Sequence, residues 1–258
     1  MINYPVKISP NPRPYFYFKK RNLNYYKDRL EGADVNVHEQ VTNIINEMYP
    51  DKSIRILDIA CGDCALALRI NDLRLKSDIR DEIITVDNKS PIEPIKFPYC
   101  QIDLNDSDQM VELLNEYRGH FDVILGIETI EHLEIPKMYL YYLREMLSDD
   151  GHIFISTPNI NNPMSRRIFY KKGRIEQFSY QDLKYGHISL ILPHVLEKFA
   201  ADLRLKPVAE YPLGLYPKFW LYPDKRSLYI TFCNLLMPFM KGSWTKLYIF
   251  KKDFDNER

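Results

Sequence analysis

The stretch Arg55 to Ile70, RILDIACGDCALALRI, constrains the fold of this chain more than any other. Ile54 to Ile59 is rich in β-branched residues and carries an acid, Asp58. Ala60-Cys61-Gly62-Asp63 then supplies small residues for a turn, and Ala65 to Leu68 reads as helix. Strand, tight turn and helix in that order leave small side chains and unpaired N–H groups at the carboxyl end of a strand, where a ligand can lie against the backbone.

The acids that follow have a matching rhythm. Ile83-Ile84-Thr85-Val86 ends at Asp87, 25 residues after Gly62, the offset at which a doubly wound fold places an acid for ribose hydroxyls. Two further runs also end in acids, Tyr99 to Ile102 at Asp103 and Phe121 to Ile127 at Glu128. Taken in order, LDIACGD, VDN, QIDLND, FDVILGIETIEHLE and GHIFISTPN resemble the motif series of the class I S-adenosylmethionine-dependent methyltransferases, over roughly residues 35 to 250.

That resemblance implies an α/β, Rossmann-like, doubly wound seven-stranded sheet of order 3-2-1-4-5-7-6, with the last strand antiparallel and helices on both faces. It implies S-adenosyl-L-methionine as cofactor and S-adenosyl-L-homocysteine as product. On the family pattern the cofactor contacts are Asp58, Ala60, Gly62 and Asp63 in the first turn, then Asp87 and Asn88. Asp103 and Leu104 follow, at the adenine amine, and then Ile127 and Glu128. Residue type alone leaves Asp87 and Asp103 open as helix caps or turn residues. The family's turn has small residues at three alternate positions, here Ala60, Gly62 and Cys64, and the cysteine brings bulk to the helix start.

Composition bounds this reading. With 258 residues and 45% apolar content the chain can bury one substantial core, and 35 basic against 35 acidic residues argue against a general nucleic-acid binder. The first residues lack the apolar core of a signal peptide, and no run reaches the length of a membrane span, so a cytoplasmic protein is expected. Cys61 and Cys64 match C-x-x-C, but Cys100 and Cys233 are isolated and no zinc ligand set is visible, so no metal is expected.

Residues 1–35 read as an extension. Prolines 5, 10, 12 and 14 forbid a long helix, and an aromatic run precedes Lys19-Lys20-Arg21. By family resemblance this segment is a lid with Tyr25 and Tyr26 at the mouth of the site; a tail packed on the outside or on a second subunit fits equally. Residues 36–258 read as the methyltransferase domain. In it Asn36 to Tyr49 is an amphipathic helix with Asn36 and Glu39 spaced as a capping box, and Asn71 to Glu82 reads as a surface link.

Two histidines are candidates for handling a proton. His132 lies in the loop leaving the fourth strand, and His187 lies in HIS, a pattern that resembles one branch of the family. Members of that branch are frequently small-molecule methyltransferases, including some of bacterial surface-polysaccharide pathways. The alternative is that Glu131 and His132 hold their loop together by hydrogen bonds and that His187 caps or bridges backbone groups. Residues 157–192 break the strand-helix rhythm and read as a substrate-recognition insert. Asn159, Arg166, Arg167 and Tyr185 are its candidate acceptor contacts, and Arg166, Arg167, Lys171, Lys172 and Arg174 form a cluster suited to an anion or to a solvated face. The apolar segment 227–240 suits core packing, a homodimer face or shallow interfacial contact.

The expectation is O-methylation of a polar small molecule, such as a sugar or phosphate-bearing intermediate of capsular polysaccharide synthesis. An RNA methyltransferase and a non-catalytic module that binds S-adenosylmethionine are the alternatives.

Overall fold

The structure, a computed structural model, describes residues 24–34, 36–92, 94–175, 177–178, 183–184, 186–214 and 243–254. Lys19 to Arg21, Tyr185 and the 227–240 segment lie outside the described residues.

A hairpin, β1 (Asn24–Tyr26) and β2 (Arg29–Glu31), precedes helix α1 (Val37–Met48). Strand β3 (Arg55–Ile59) leads into α2 (Ala65–Leu75), and β4 (Glu82–Asp87) into β5 (Tyr99–Gln101) and α3 (Ser107–Tyr117). Then come β6 (Phe121–Gly126), a 3-10 turn at Ile130–His132, α4 (Pro136–Met146) and β7 (Leu147–Pro158). Helices α5 (Pro163–Lys172) and α6 (Pro193–Asp202) and strands β8 (Leu205–Leu213) and β9 (Thr245–Lys252) complete the described chain.

The seven-stranded sheet has the order β5-β4-β3-β6-β7-β9-β8. Numbered from β3 within the sheet, this is 3-2-1-4-5-7-6, as the resemblance implies. Strand β9 runs antiparallel between β7 and β8, and the other pairs are parallel. Period-two alternation divides the core. Leu57, Ile59, Ile84 and Val86 face a layer with Met110 of α3, Leu140 of α4 and Leu196 of α6. Ile54, Ile56, Ile83 and Val123 face Val41 of α1 and Ile70 of α2. Burial on both faces explains why these strands read as nearly continuous apolar runs.

Local details differ from the sequence reading. Asn36 adopts φ 64° and its side chain makes no capping bond, because a left-handed residue cannot aim its side chain at the N–H groups of the first turn. Asp106 does cap α3, accepting from the N–H groups of Asp108 and Gln109. The stretch from Asn71 to Glu82 is not all surface: α2 runs on to Leu75, and Arg74 is fully buried. Its guanidinium pairs with Asp81 and donates to the carbonyls of Tyr49 (2.8 Å) and Lys52, tying α1, β3 and β4 together at the amino edge of the sheet. A buried charge left without its partner is costly. Asp81→Asn should therefore destabilise the fold by about 3–5 kcal/mol, read as a lowered urea midpoint.

Candidate functional site

The parallel strands bring the ends of β3, β4, β5, β6 and β7 to one edge, so the turns leaving them share one face of the sheet. In the first of these turns Ala60, Gly62 and Cys64 all hold left-handed backbone, with φ of 62°, 55° and 59°. For glycine this is free, whereas for alanine and cysteine it costs on the order of 1–3 kcal/mol each. A Cβ on Gly62 would meet nothing within 4 Å, so the turn presents open backbone. Cys64 adds no bulk on that side. It is buried in the core cluster of α1 and α2, with its sulfur 3.4 Å from that of Cys61.

Asp87 joins the first turn to the second. Its Oδ2 accepts the Gly62 N–H at 2.8 Å and its Oδ1 accepts the Lys89 N–H at 3.1 Å, so the carboxylate sits against the turn. Asn88 beside it is exposed. Asp103 is also exposed and closes a small turn by accepting the Asn105 N–H, with Leu104 half-buried next to it.

Asp63 has a job the sequence did not reveal. Its carboxylate takes the Leu30 N–H (3.1 Å), the Ile92 N–H (3.2 Å) and Arg29 Nη1 (3.2 Å), clasping the hairpin and the 90–98 segment to the turn. Further ion pairs, Arg69 with Glu31 (2.6 Å) and Lys27 with Asp72 (2.6 Å), lay the hairpin on α2. Tyr25 is exposed and lines a cleft with Asp63 and Ile92. Tyr26 instead bonds to Asp72 (3.0 Å) under Arg69, because the hairpin alternation turns it toward α2.

Three acids line this edge, Asp58 and Glu131 buried and Glu128 half-buried. Asp58, at the end of β3, is pushed up to about 7 by burial. Glu128 follows buried Ile127 with φ 51°, a strained backbone for glutamate. Ser156 holds it there, accepting the Glu128 N–H (2.9 Å) and donating to Oε1 (2.8 Å), and burial raises its carboxyl to about 7. Glu131 is fully buried with neither carboxylate oxygen hydrogen-bonded; burial first, and then the charge of Glu128, hold its carboxyl well above the usual range.

His132 and His187, 55 residues apart in sequence, meet here. Their rings stand edge to face at 4.7 Å between centroids, and both lie beside Glu131. Backbone bonds make the meeting rigid: the Glu131 carbonyl accepts from Ile188 (3.0 Å) and Ser189 (2.9 Å), and Ser189 Oγ donates to the Leu133 carbonyl. Sequence reasoning named both histidines but gave Glu131 only a loop-holding role; its place in an E-H pair one turn past a strand was the available signal.

The expected acceptor residues fare less well. Asn159 is buried and its polar groups are engaged structurally: Nδ2 donates to the Ser243 carbonyl (2.9 Å), Oδ1 accepts the Asn161 N–H (3.0 Å), and its own N–H meets the Trp244 carbonyl (2.8 Å). It ties β7 to β9 rather than facing an acceptor. Arg166 and Arg167 are exposed on α5, whose Phe169 and Tyr170 are exposed as well.

With this geometry in place, comparison with known proteins is informative. Residues 34–209 match the family model described as a methyltransferase domain. The chain belongs to the methyltransferase-domain family. It is 29% identical over 140 residues to the ubiquinone biosynthesis O-methyltransferase of Cereibacter sphaeroides, covering 53% of this chain and 54% of that protein. It thus spans about half the length of the curated relatives it matches. Among solved structures, the 1,6-didemethyltoxoflavin-N1-methyltransferase of Burkholderia thailandensis, with bound S-adenosylhomocysteine, aligns with TM-score 0.52 at 12% identity, covering 85% of this chain and 80% of that one. The [4+2]-cyclase SpnF aligns with TM-score 0.54 at 10% identity, covering 91% and 87%. At such identities these two show the fold alone. No helix among the described residues is long and apolar enough to cross a membrane.

For a methyltransferase domain, the buried acids have a measurable consequence. Below pH 3.8 Asp58 is protonated in both folded and unfolded chains; between there and about 7 only the unfolded chain gives up the proton, so stability falls as pH rises. Above that window the loss from Asp58 amounts to about 4 kcal/mol. Asp58→Asn should remove that share, so that urea denaturation at pH 8 finds the variant more stable than wild type and at pH 4 finds them nearly equal.

Proposed function

We propose that this chain is an S-adenosylmethionine-dependent O-methyltransferase acting on a hydroxyl of a small-molecule acceptor. The observation that carries the reading is the assembly of Glu131, His132 and His187 at the same sheet edge as the open turn at Gly62 and the carboxylate of Asp87. The open turn suits the cofactor, whose sulfonium already activates the methyl group. Ala60, Gly62 and Asp87, with Asp58 behind them, would hold it; Asn88, Asp103 and Leu104 would border its nucleoside end, and Ile127 and Glu128 its methyl end. The protein then has to align the acceptor oxygen with the methyl and exclude water. The oxygen–carbon bond forms as the carbon–sulfur bond breaks, the sulfur keeps the electron pair, and the hydroxyl proton passes to Nε2 of His187, whose Nδ1–H faces the Gln177 carbonyl. A hydroxyl gives up that proton reluctantly at neutral pH, so a cluster that eases its loss has a use here, whereas a nitrogen or thiolate acceptor needs less help.

The names of the curated relatives favour an aromatic hydroxyl acceptor such as those of ubiquinone synthesis. A second reading, a sugar or phosphate-bearing acceptor as in surface-polysaccharide synthesis, draws on the five exposed cations from Arg166 to Arg174. Overall neutrality disfavours RNA, and a non-catalytic module has no need of two histidines brought together over such a sequence distance.

Transfer of radiolabelled methyl from S-adenosylmethionine to a panel of dihydric phenols and nucleotide-linked sugars tests the proposal. Label should enter a hydroxyl of one class, and His187→Gln should lower kcat by about 100-fold or more, within the usual range for proton-handling groups. Arg166→Glu together with Arg167→Glu should raise KM only if the acceptor is anionic.

A further inference from the structure

Cys61 and Cys64 take no part in the proposed methyl transfer, yet they sit in the turn that the cofactor needs. Their sulfurs lie 3.4 Å apart, in hydrogen-bond contact. The backbone brings them together. The Cys64 N–H donates to the Cys61 carbonyl at 2.9 Å, closing a four-residue turn through Gly62 and Asp63, so the two Cα atoms lie within the ~7 Å of a β-turn. A disulfide takes Cα atoms about 4.4–6.8 Å apart and sulfurs about 2.0 Å apart, so the two sulfurs need approach by only about 1.4 Å to bond.

We propose that Cys61 and Cys64 are an oxidation site, a pair that a peroxide converts to a reversible disulfide and that thereby weakens cofactor binding at the turn. Cys64 is the entry point. It belongs to the wall of a cleft of about 230 Å³ between the hairpin, α2 and the 90–98 segment, lined also by Lys27, Arg29, Leu68 and Lys96. Hydrogen peroxide is little larger than water, and such a cleft has room for it. Cys61 suits the second step. The sulfur contact with Cys64 and then burial raise its thiol well above the ordinary range, so it stays protonated and waits for its neighbour to react. The Cys64 sulfur attacks one peroxide oxygen, the O–O bond breaks, and the other oxygen leaves as water with the thiol proton. The Cys61 sulfur then attacks the sulfur of this sulfenic acid. The S–O bond breaks, and a second water leaves with the Cys61 proton. Two electrons have passed from the pair to the peroxide, and a dithiol returns them. Burial makes the reaction slow, as suits a response to sustained oxidant.

The effect on the cofactor, as distinct from the disulfide itself, rests on the reading that the turn at Gly62 receives S-adenosylmethionine. In the reduced chain that turn is set by the bond from the Cys61 N–H to the Val86 carbonyl (3.0 Å) and the bond from the Gly62 N–H to Asp87 (2.8 Å). Drawing the sulfurs together pulls on both ends of Gly62-Asp63, while the bonds from Leu30 and Ile92 to Asp63 hold its far side. Gly62 is the residue free to give, so its N–H moves off Asp87 and the open backbone shifts. Coupling of this kind is reciprocal: a cofactor seated on the turn resists the closure that oxidation requires.

The test treats the full chain with hydrogen peroxide, alongside Cys61→Ser and Cys64→Ser, then denatures it, caps free thiols with iodoacetamide and reads the tryptic peptides by mass. Both cysteines fall in one peptide, residues 56–69, which contains no methionine. In wild type that peptide should lose two hydrogens and take up no iodoacetamide, and dithiothreitol should restore both thiols. S-adenosylhomocysteine, titrated calorimetrically into protein shown to be folded by near-ultraviolet circular dichroism, should bind the oxidised wild type at least about 10-fold more weakly than the reduced, with recovery on reduction. Peroxide should leave the affinity of each serine variant at its starting value. A peptide that keeps both thiols, or gains oxygen in place of losing hydrogen, overturns the proposal. So does a disulfide that leaves affinity unchanged, or an affinity loss shared by the serine variants, since oxidation would then act elsewhere. If reduced wild type binds no S-adenosylhomocysteine but the disulfide forms as described, the cofactor reading falls and the oxidation site stands.

Discussion

The reversal of the chain between β3 and α2 governs the rest of this molecule. Within five residues the backbone must leave β3, expose N–H groups and start a helix, and it does so by holding Ala60, Gly62 and Cys64 left-handed. Two of those three residues carry a Cβ that disfavours the conformation. The strain is held by neighbours: the Cys61 N–H bonds to the Val86 carbonyl, the Gly62 N–H to Asp87, and Asp63 is gripped by the hairpin and Ile92. Burial of Ile56, Leu57 and Ile59 on the two faces of the sheet keeps the strand from moving to relieve it. The open backbone at Gly62 is therefore a by-product of a turn that the sheet and the hairpin hold in place together.

The same edge concentrates the chemistry because parallel strands end in register. Asp58 and Glu131 are kept from water and Glu128 is half-buried; the carboxyl of each is raised, so each lowers the stability of the fold at neutral pH. Carboxyls held at a cost to stability and gathered at one edge, with raised titration, mark that edge as a candidate site. The fold does not settle which function: a [4+2]-cyclase shares it at low identity, and the argument for methyl transfer to oxygen rests on the site and on the relatives that match by sequence.

Much of this was legible in the sequence. Strand ends marked by acids and small residues at alternate positions of one turn are local and periodic, and they reveal the strand-turn-helix units; the sheet order down to its antiparallel strand comes from the family resemblance that the five motifs carry. Asn36 and Asn159 were misread for the opposite reason. Each suits a familiar local role, yet Asn36 takes left-handed backbone and Asn159 spends its hydrogen bonds on Ser243 and Trp244, 84 and 85 residues later. Arg74 looked like part of a charged surface run, and only the approach of Tyr49 and Lys52 reveals it as buried. Convergence of His187 on Glu131 and His132 is likewise a tertiary fact, visible in sequence only as an adjacent Glu-His pair and a histidine 55 residues further on.

The central claim is that the turn at Gly62 and the carboxylate of Asp87 receive S-adenosylmethionine. Calorimetric titration of the purified chain with S-adenosylhomocysteine, compared with Asp87→Ala, tests it most directly. Loss of a carboxylate hydrogen-bonded to ribose should weaken binding by about 10- to 100-fold while leaving one site per chain in the wild type. A folded wild type that does not bind, or a variant that binds as tightly as wild type, would contradict the account.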